Sequence, residues 1–297
     1  MASNPEGFDH LDRTGRAAGY VAQHPRPIVY AVLGAGIMLS WAMLALMALR
    51  GADLRGPGGD APGDELLRML PQVPMPAYLD RFFALCLNPA PPGGLTSGAF
   101  AALALMWFLM SIAMMLPSAA PMIRTYCEIA DTACRKREPV VHPLVLVAGY
   151  LSTWLVASAL FAALTLLVHV FAAGIQTAPV EGLAGALALG LAGLYQFSGL
   201  KDACLNKCRN PFSILFGRWS PKTWRIFRLG MEQGLWCLGC CWALMLVMFA
   251  VGIMNLFWMA LIALFTLVEK QGTKRFSTRL AGAILLVWAV ALLVSSA

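Results

Sequence analysis

From Gln233 to Val268 the chain runs for 36 residues without one charged side chain. As a single helix that stretch would be about 54 Å long at about 1.5 Å per residue. A bilayer hydrocarbon core is only about 30 Å thick. The sequence therefore predicts two membrane-crossing helices joined by a tight turn near Gly252–Asn255.

The rest of the chain has the same character. Of its 297 residues, 59 % are hydrophobic and only 12 % are charged, and the mean hydropathy is +0.70. A soluble domain of this size needs more charged surface. Helices satisfy their own backbone polar groups in lipid, and the apolar runs far exceed the roughly 10-residue strands of a membrane barrel. The expected fold class is an all-α, polytopic helical bundle. Apolar stretches at 28–49, 99–123, 143–173, 182–200, 231–252, 253–269 and 280–296 give about seven transmembrane helices. The expected organisation is a cytoplasmic N-terminal segment at 1–27, a first transmembrane helix at 28–49, a periplasmic loop at 50–98, and a six-helix metal-binding membrane domain at 99–297.

Charge distribution tests the count. Cytoplasmic loops of membrane proteins carry an excess of Lys and Arg. With seven crossings, 18 of the 22 Lys and Arg fall on one side. Making 233–268 a single crossing weakens that asymmetry. The N-terminus is thus expected in the cytoplasm and the C-terminus in the periplasm. The net charge of +7 is explained by topology, and nucleic-acid binding is not needed. The 28–49 stretch is too long, and too far from the start, for a signal peptide. It is read as a retained span of a multi-pass bacterial inner-membrane protein. "RGPGGDAPGDE" at 55–65 reads as a flexible linker, and 212–230 as an interfacial helix.

Sulfur is the chemistry this sequence offers. Of eight cysteines, only Cys86 falls on the external side, so no structural disulfide is expected. "CLGCCWALM" at 237–245 stacks Cys237, Cys241 and Met245 on one helical face, with Cys240 alongside. Cys204 and Cys208 share a face of a helical continuation of the 182–200 span. Lys201, one turn earlier, would offer a positive charge to their thiolates. Met114 and Met115 close a second sulfur stripe at 106–115. Methionine is a common gap-filler in cores, so the metal reading rests on the two stripes together. Thiolate and thioether donors select Cu(I), and thiolates alone also suit Zn(II). Carboxylates are confined to span ends, which disfavours hard cations. His142 and His169 are isolated. Pro117 and Pro121 interrupt the 99–123 span and predict either a packing kink or an opened backbone. Whether the thiol pairs 204/208 and 237/241 form one site or two is left open by their apparent depths.

Six motifs occur in order: "AMMLPSAAPM" (113–122), "GYLSTW" (149–154), "YQFSGLKDACLNKCRNP" (195–211), "GCCWALM" (239–245), "GIMNLFWM" (252–259) and "EK" (269–270). The set resembles a bacterial family known as predicted metal-binding integral membrane proteins, a domain of unknown function whose members are sometimes labelled copper chaperones. Where the family pattern has a histidine–glycine pair, this chain carries Gln233–Gly234. The resemblance implies a metal and says little of mechanism.

Two function classes follow. The first is a Cu(I)-binding and delivery protein, a copper chaperone with Cys237, Cys240 and Cys241 as its core site. Cys204 and Cys208 would load it, and Met245, Met114 and Met115 would be thioether ligands on the outward path. Its partners would be the lipid bilayer and a membrane or periplasmic copper enzyme. The second is a structural or assembly subunit of a larger membrane complex with no metal of its own. A redox enzyme using vicinal Cys240–Cys241 ranks last, because adjacent cysteines pair only with strain. The sequence has no nucleotide loop, catalytic triad or hydrolytic metal motif, so no enzymatic turnover is expected.

Overall fold

A computed structural model of the chain describes residues 25–55, 65, 67, 69, 75–87, 96–136, 138–173, 178–210, 214–215, 217–252, 255–272 and 275–296, with the side chains at 25, 54–55, 169, 171–173, 178–182 and 296 excepted. Residues 1–24 of the expected N-terminal segment at 1–27, nearly all of the 55–65 linker and the His169 side chain lie outside the described residues.

Among the described residues the chain is helical throughout, with no strand. Its helices are α1 (Pro25–Arg55), α2 (Ala77–Leu87), α3 (Ser97–Arg135), α4 (Pro143–Ala173), α5 (Ala178–Gln196), α6 (Gly199–Arg209), α7 (Thr223–Val251), α8 (Leu256–Gln271) and α9 (Phe276–Ser296). Five of them, α1, α3, α4, α7 and α9, are long and apolar enough to cross a membrane, and the bent pair α5–α6 makes a sixth if it is one span. That is one or two fewer than the seven expected stretches. The difference lies at that pair and at α8, whose 16 residues fall just short of the roughly 17–25 of a full span.

The charge-free run does break in two. Gly252 takes φ +95° after α7, a conformation that costs glycine little and other residues more. Asn255 then caps α8, its side chain accepting the Trp258 N–H at 3.1 Å. The segment expected as an interfacial helix at 212–230 instead supplies, from Thr223 onward, the first two turns of α7.

Pro117 and Pro121 sit inside α3, which continues through both for 39 residues. Proline at 117 leaves the Ala113 carbonyl without its helical partner. The Trp41 indole of α1 donates to that carbonyl at 3.1 Å. The freed carbonyl is thus covered by a neighbouring helix. Beyond Pro121, α3 continues to Arg135, with Cys127 buried and Cys134 exposed.

α7 is the hub, packing on α4, α5, α6 and α8. Glycine sets its closest approach. A Cβ on Gly149 of α4 would lie 2.0 Å from the Phe227 carbonyl, and one on Gly230 of α7 would lie 2.2 Å from the Leu146 carbonyl. The two backbones touch there, as small residues permit in membrane bundles.

α6 is not the straight continuation of α5 that the apolar pattern predicts. The two helices meet at 66°. Ser198 ends one and caps the other, accepting the Lys201 N–H at 3.1 Å. The bend lays α6 against α7 and α8. A buried ion pair, Lys201 Nζ to Glu269 Oε1 at 2.9 Å, pins α6 to α8. Lys201 also donates to Gln196, and Thr278 of α9 donates to the same Glu269 carboxylate at 2.8 Å.

Candidate metal centre

Because the 66° bend returns α6 to α7, thiols far apart in sequence meet. The Cys208 and Cys240 sulfurs are 3.9 Å apart. Cys204 reaches α7 through a notch: a Cβ on Gly239 would lie 2.7 Å from its sulfur, so glycine admits the thiol. Cys204, Cys237, Cys240 and Cys241 are buried, and Cys208 is partly so. The thiols of the two helices therefore meet at the Cys208–Cys240 pair and at the contact of Cys204 with Gly239.

Within α7, the Cys240 and Cys241 thiols both donate to the Cys237 carbonyl, at 3.1 and 2.9 Å. The expected trio of Cys237, Cys240 and Cys241 thus sits together on one turn of α7. Among the described residues no group of three or more His, Cys, Asp or Glu donors is gathered to hold a metal ion. What the fold gathers is the pair Cys208–Cys240, with Cys237 one turn away.

Cys237 has polar company of its own. The Lys270 ammonium, in the last turn of α8, donates to the Cys237 sulfur at 3.0 Å and to Ser118 Oγ at 2.7 Å. A cation at a helix C-terminus also suits the helix dipole. The Tyr150 hydroxyl of α4 lies 3.0 Å from the same sulfur and 3.2 Å from the Met115 carbonyl. These groups border a cavity of about 250 Å³ whose wall includes Cys208, Cys237, Tyr150, Lys270, Arg209 and Gln233. Gln233 is buried, and among the described residues its Nε2 has no hydrogen-bond partner. Pro121 and Gln271, also on the wall, are exposed, so the cavity opens at that end.

The other sulfur donors expected from the sequence sit elsewhere. Met114, Met115 and Met245 are fully buried in the core, and none of them lines the cavity. Met115 contributes its carbonyl, as acceptor for Tyr150 and, at 2.7 Å, for Ser118. Lys201 spends its charge on Glu269 rather than on Cys204. The cation beside the thiols is Lys270, which in the sequence has the place of a topology charge at a span end. Cys86 stands apart on α2, donating to the Ala102 carbonyl at 3.5 Å, and burial pushes its thiol up to about 12. His142 helps start α4, its Nδ1 accepting the Leu144 N–H at 3.3 Å.

A family model, PpoB2, described as copper chaperone, matches residues 104–292. This is more than half of the chain and includes every thiol of α6 and α7. The chain belongs to this copper chaperone family. No curated protein and no solved structure matches it.

For a copper chaperone the donor chemistry fits. Thiols are soft ligands suited to Cu(I). At metal–sulfur distances of about 2.3 Å, two sulfurs separated by 3.9 Å would subtend about 115° at an ion bound to both. That angle leaves space for a third donor. The neighbouring ammonium fits as well: two thiolates and one Cu(I) would carry a net charge of minus one, which Lys270 would offset inside the bundle, where water cannot.

Proposed function

We propose that the chain is a membrane-embedded Cu(I) binding and delivery protein for a membrane or periplasmic copper enzyme. The observation that carries this reading is the approach of Cys208 and Cys240, from separate helices, to 3.9 Å in a copper chaperone family member. Copper is cargo here. No step requires turnover, and the protein acts by ligand exchange rather than as an enzyme.

In this reading Cys208 and Cys240 hold the ion, Cys237 stands before them on the cavity wall, and Cys204 and Cys241 complete the sulfur-lined passage. Cu(I) binding displaces the thiol protons, and Lys270 keeps the loaded site electrically neutral. The bilayer arrangement is seven crossings in a bacterial inner membrane, with the N-terminus cytoplasmic. α8 serves as the short sixth crossing. That places the basic ends of α6 and α8, and the cavity beside them, on the cytoplasmic side. From there the ligands pass from thiolates to the thioethers of Met245, Met114 and Met115. Weaker thioether ligands toward the outer face favour release to a client. Zinc is the competing metal, since thiolates alone accept it.

The test is elemental analysis of the chain purified from copper-supplemented membranes. The expected result is stoichiometric copper in the native chain, lost in Cys208→Ser/Cys240→Ser. A native chain without copper would instead support a structural subunit with packing cysteines.

A further inference from the structure

The cavity beside the thiols has the wrong charge for a bare copper ion. Among the described residues its wall carries the Lys270 ammonium and the Arg209 guanidinium and no Asp or Glu. Arg209 is anchored through Nε and Nη2 on the Glu269 carbonyl, at 3.2 and 2.7 Å. A carbonyl does not cancel its charge. Among the described residues neither cation is ion-paired with a carboxylate. The buried Gln233 adds a donor, Nε2, that no group accepts among the described residues. Like charges at a mouth repel an incoming ion, and opposite charges raise its on-rate. A cavity so lined recruits an anion.

We infer that the cavity admits copper as an anionic complex of Cu(I) with a small acidic thiol, and that Arg209, Lys270 and Gln233 are its recognition groups. This rests on the Cu(I) reading above and adds the form in which copper arrives. A space of about 250 Å³ matches the bulk of roughly eight waters at about 30 Å³ each, which suits one thiol acid of a few heavy atoms, with the second carrier thiol of the complex left at the open end beside Pro121 and Gln271. The space left beside the Cys208–Cys240 pair takes the visiting sulfur as a transient third ligand. The exchange then balances. One bis-thiolate Cu(I) anion reacts with two protein thiols. Two Cu–S bonds to the carrier break and two to the protein form. The two protein protons leave on the released carrier thiols. Copper stays Cu(I), and the charge of minus one passes to the protein site.

The experiment uses two thiols of like sulfur chemistry and opposite charge, 3-mercaptopropionate and cysteamine. The full-length, metal-free chain in lipid nanodiscs is mixed with Cu(I) held by either one, and copper uptake is followed in time. Binding of 3-(methylthio)propionate, which has no thiol, is measured on the same metal-free chain. Uptake from the acidic thiol is expected to be roughly 10-fold faster or more. That preference is lost in Arg209→Gln and kept in Arg209→Lys. The thioether acid is expected to bind the native chain, and several-fold more weakly in Gln233→Leu, which tests the site should Arg209→Gln not fold. Equal uptake from both thiols, or no binding of the thioether acid, overturns this inference and leaves the Cu(I) reading standing. No uptake from either overturns both.

Discussion

The Lys270 ammonium lies 3.0 Å from the Cys237 sulfur, joining the end of α8 to the first of the three cysteines on α7. A fixed positive charge beside a thiol is a means of stabilising an anionic metal–thiolate centre without water. Replacing Lys270 by Met removes that charge at similar length. Residues that support metal ligands typically account for about 10–100-fold in affinity. Lys270→Met is therefore expected to weaken Cu(I) binding by about that factor in competition against a Cu(I) chelator, and Lys270→Arg to weaken it less.

Tyr150 touches the same sulfur but carries no charge. Its hydroxyl donates to the Met115 carbonyl at 3.2 Å, which Ser118 also serves. Tyr150→Phe removes one hydrogen bond from an acceptor that keeps another. It is expected to cost about 1 kcal/mol of stability in denaturant or thermal unfolding, with copper stoichiometry unchanged.

Gly230 is where α4 and α7 meet backbone to backbone. An added Cβ would face the Leu146 carbonyl at 2.2 Å, and a carbonyl in a helix cannot swing aside. Gly230→Ala is expected to destabilise by at least the roughly 1–3 kcal/mol of core overpacking. Gly239→Ala meets a thiol instead, at 2.7 Å from Cys204 Sγ. It is expected to be milder in thermal unfolding and to displace Cys204, which faster alkylation of Cys204 reports by mass spectrometry.

Glu269 and Lys201 form a pair almost wholly shielded from solvent. Breaking such a pair leaves an uncompensated charge and costs about 3–5 kcal/mol. Glu269→Ala should fall in that range by unfolding. The double change Lys201→Met/Glu269→Leu should recover much of the loss, because neither charge is then stranded.

The helical bundle is legible in the sequence because lipid permits few alternatives, and the turn between α7 and α8 is signalled by a glycine and an asparagine in an otherwise apolar run. The bend between α5 and α6 is harder to see, although Ser198 followed by a first turn containing Asp202 is a helix-start signal. Without the bend, Cys208 and Cys240 lie at different apparent depths and their meeting is hidden. Lys270 is hidden for a different reason. A lysine at a span end is normally a topology charge, and only tertiary structure shows that this one turns inward onto Cys237. Gln233 stands out in the sequence only as a departure from a motif, whereas its role depends on the cavity it lines.

Copper K-edge X-ray absorption on the Cu(I)-loaded chain addresses the Cys208–Cys240 pair most directly. Two or three sulfur neighbours at about 2.2–2.3 Å are expected in the native chain, with sulfur coordination lost or halved in Cys208→Ser and in Cys240→Ser. A spectrum dominated by nitrogen or oxygen neighbours, or one that neither substitution alters, would contradict the assignment of these two thiols as the copper ligands.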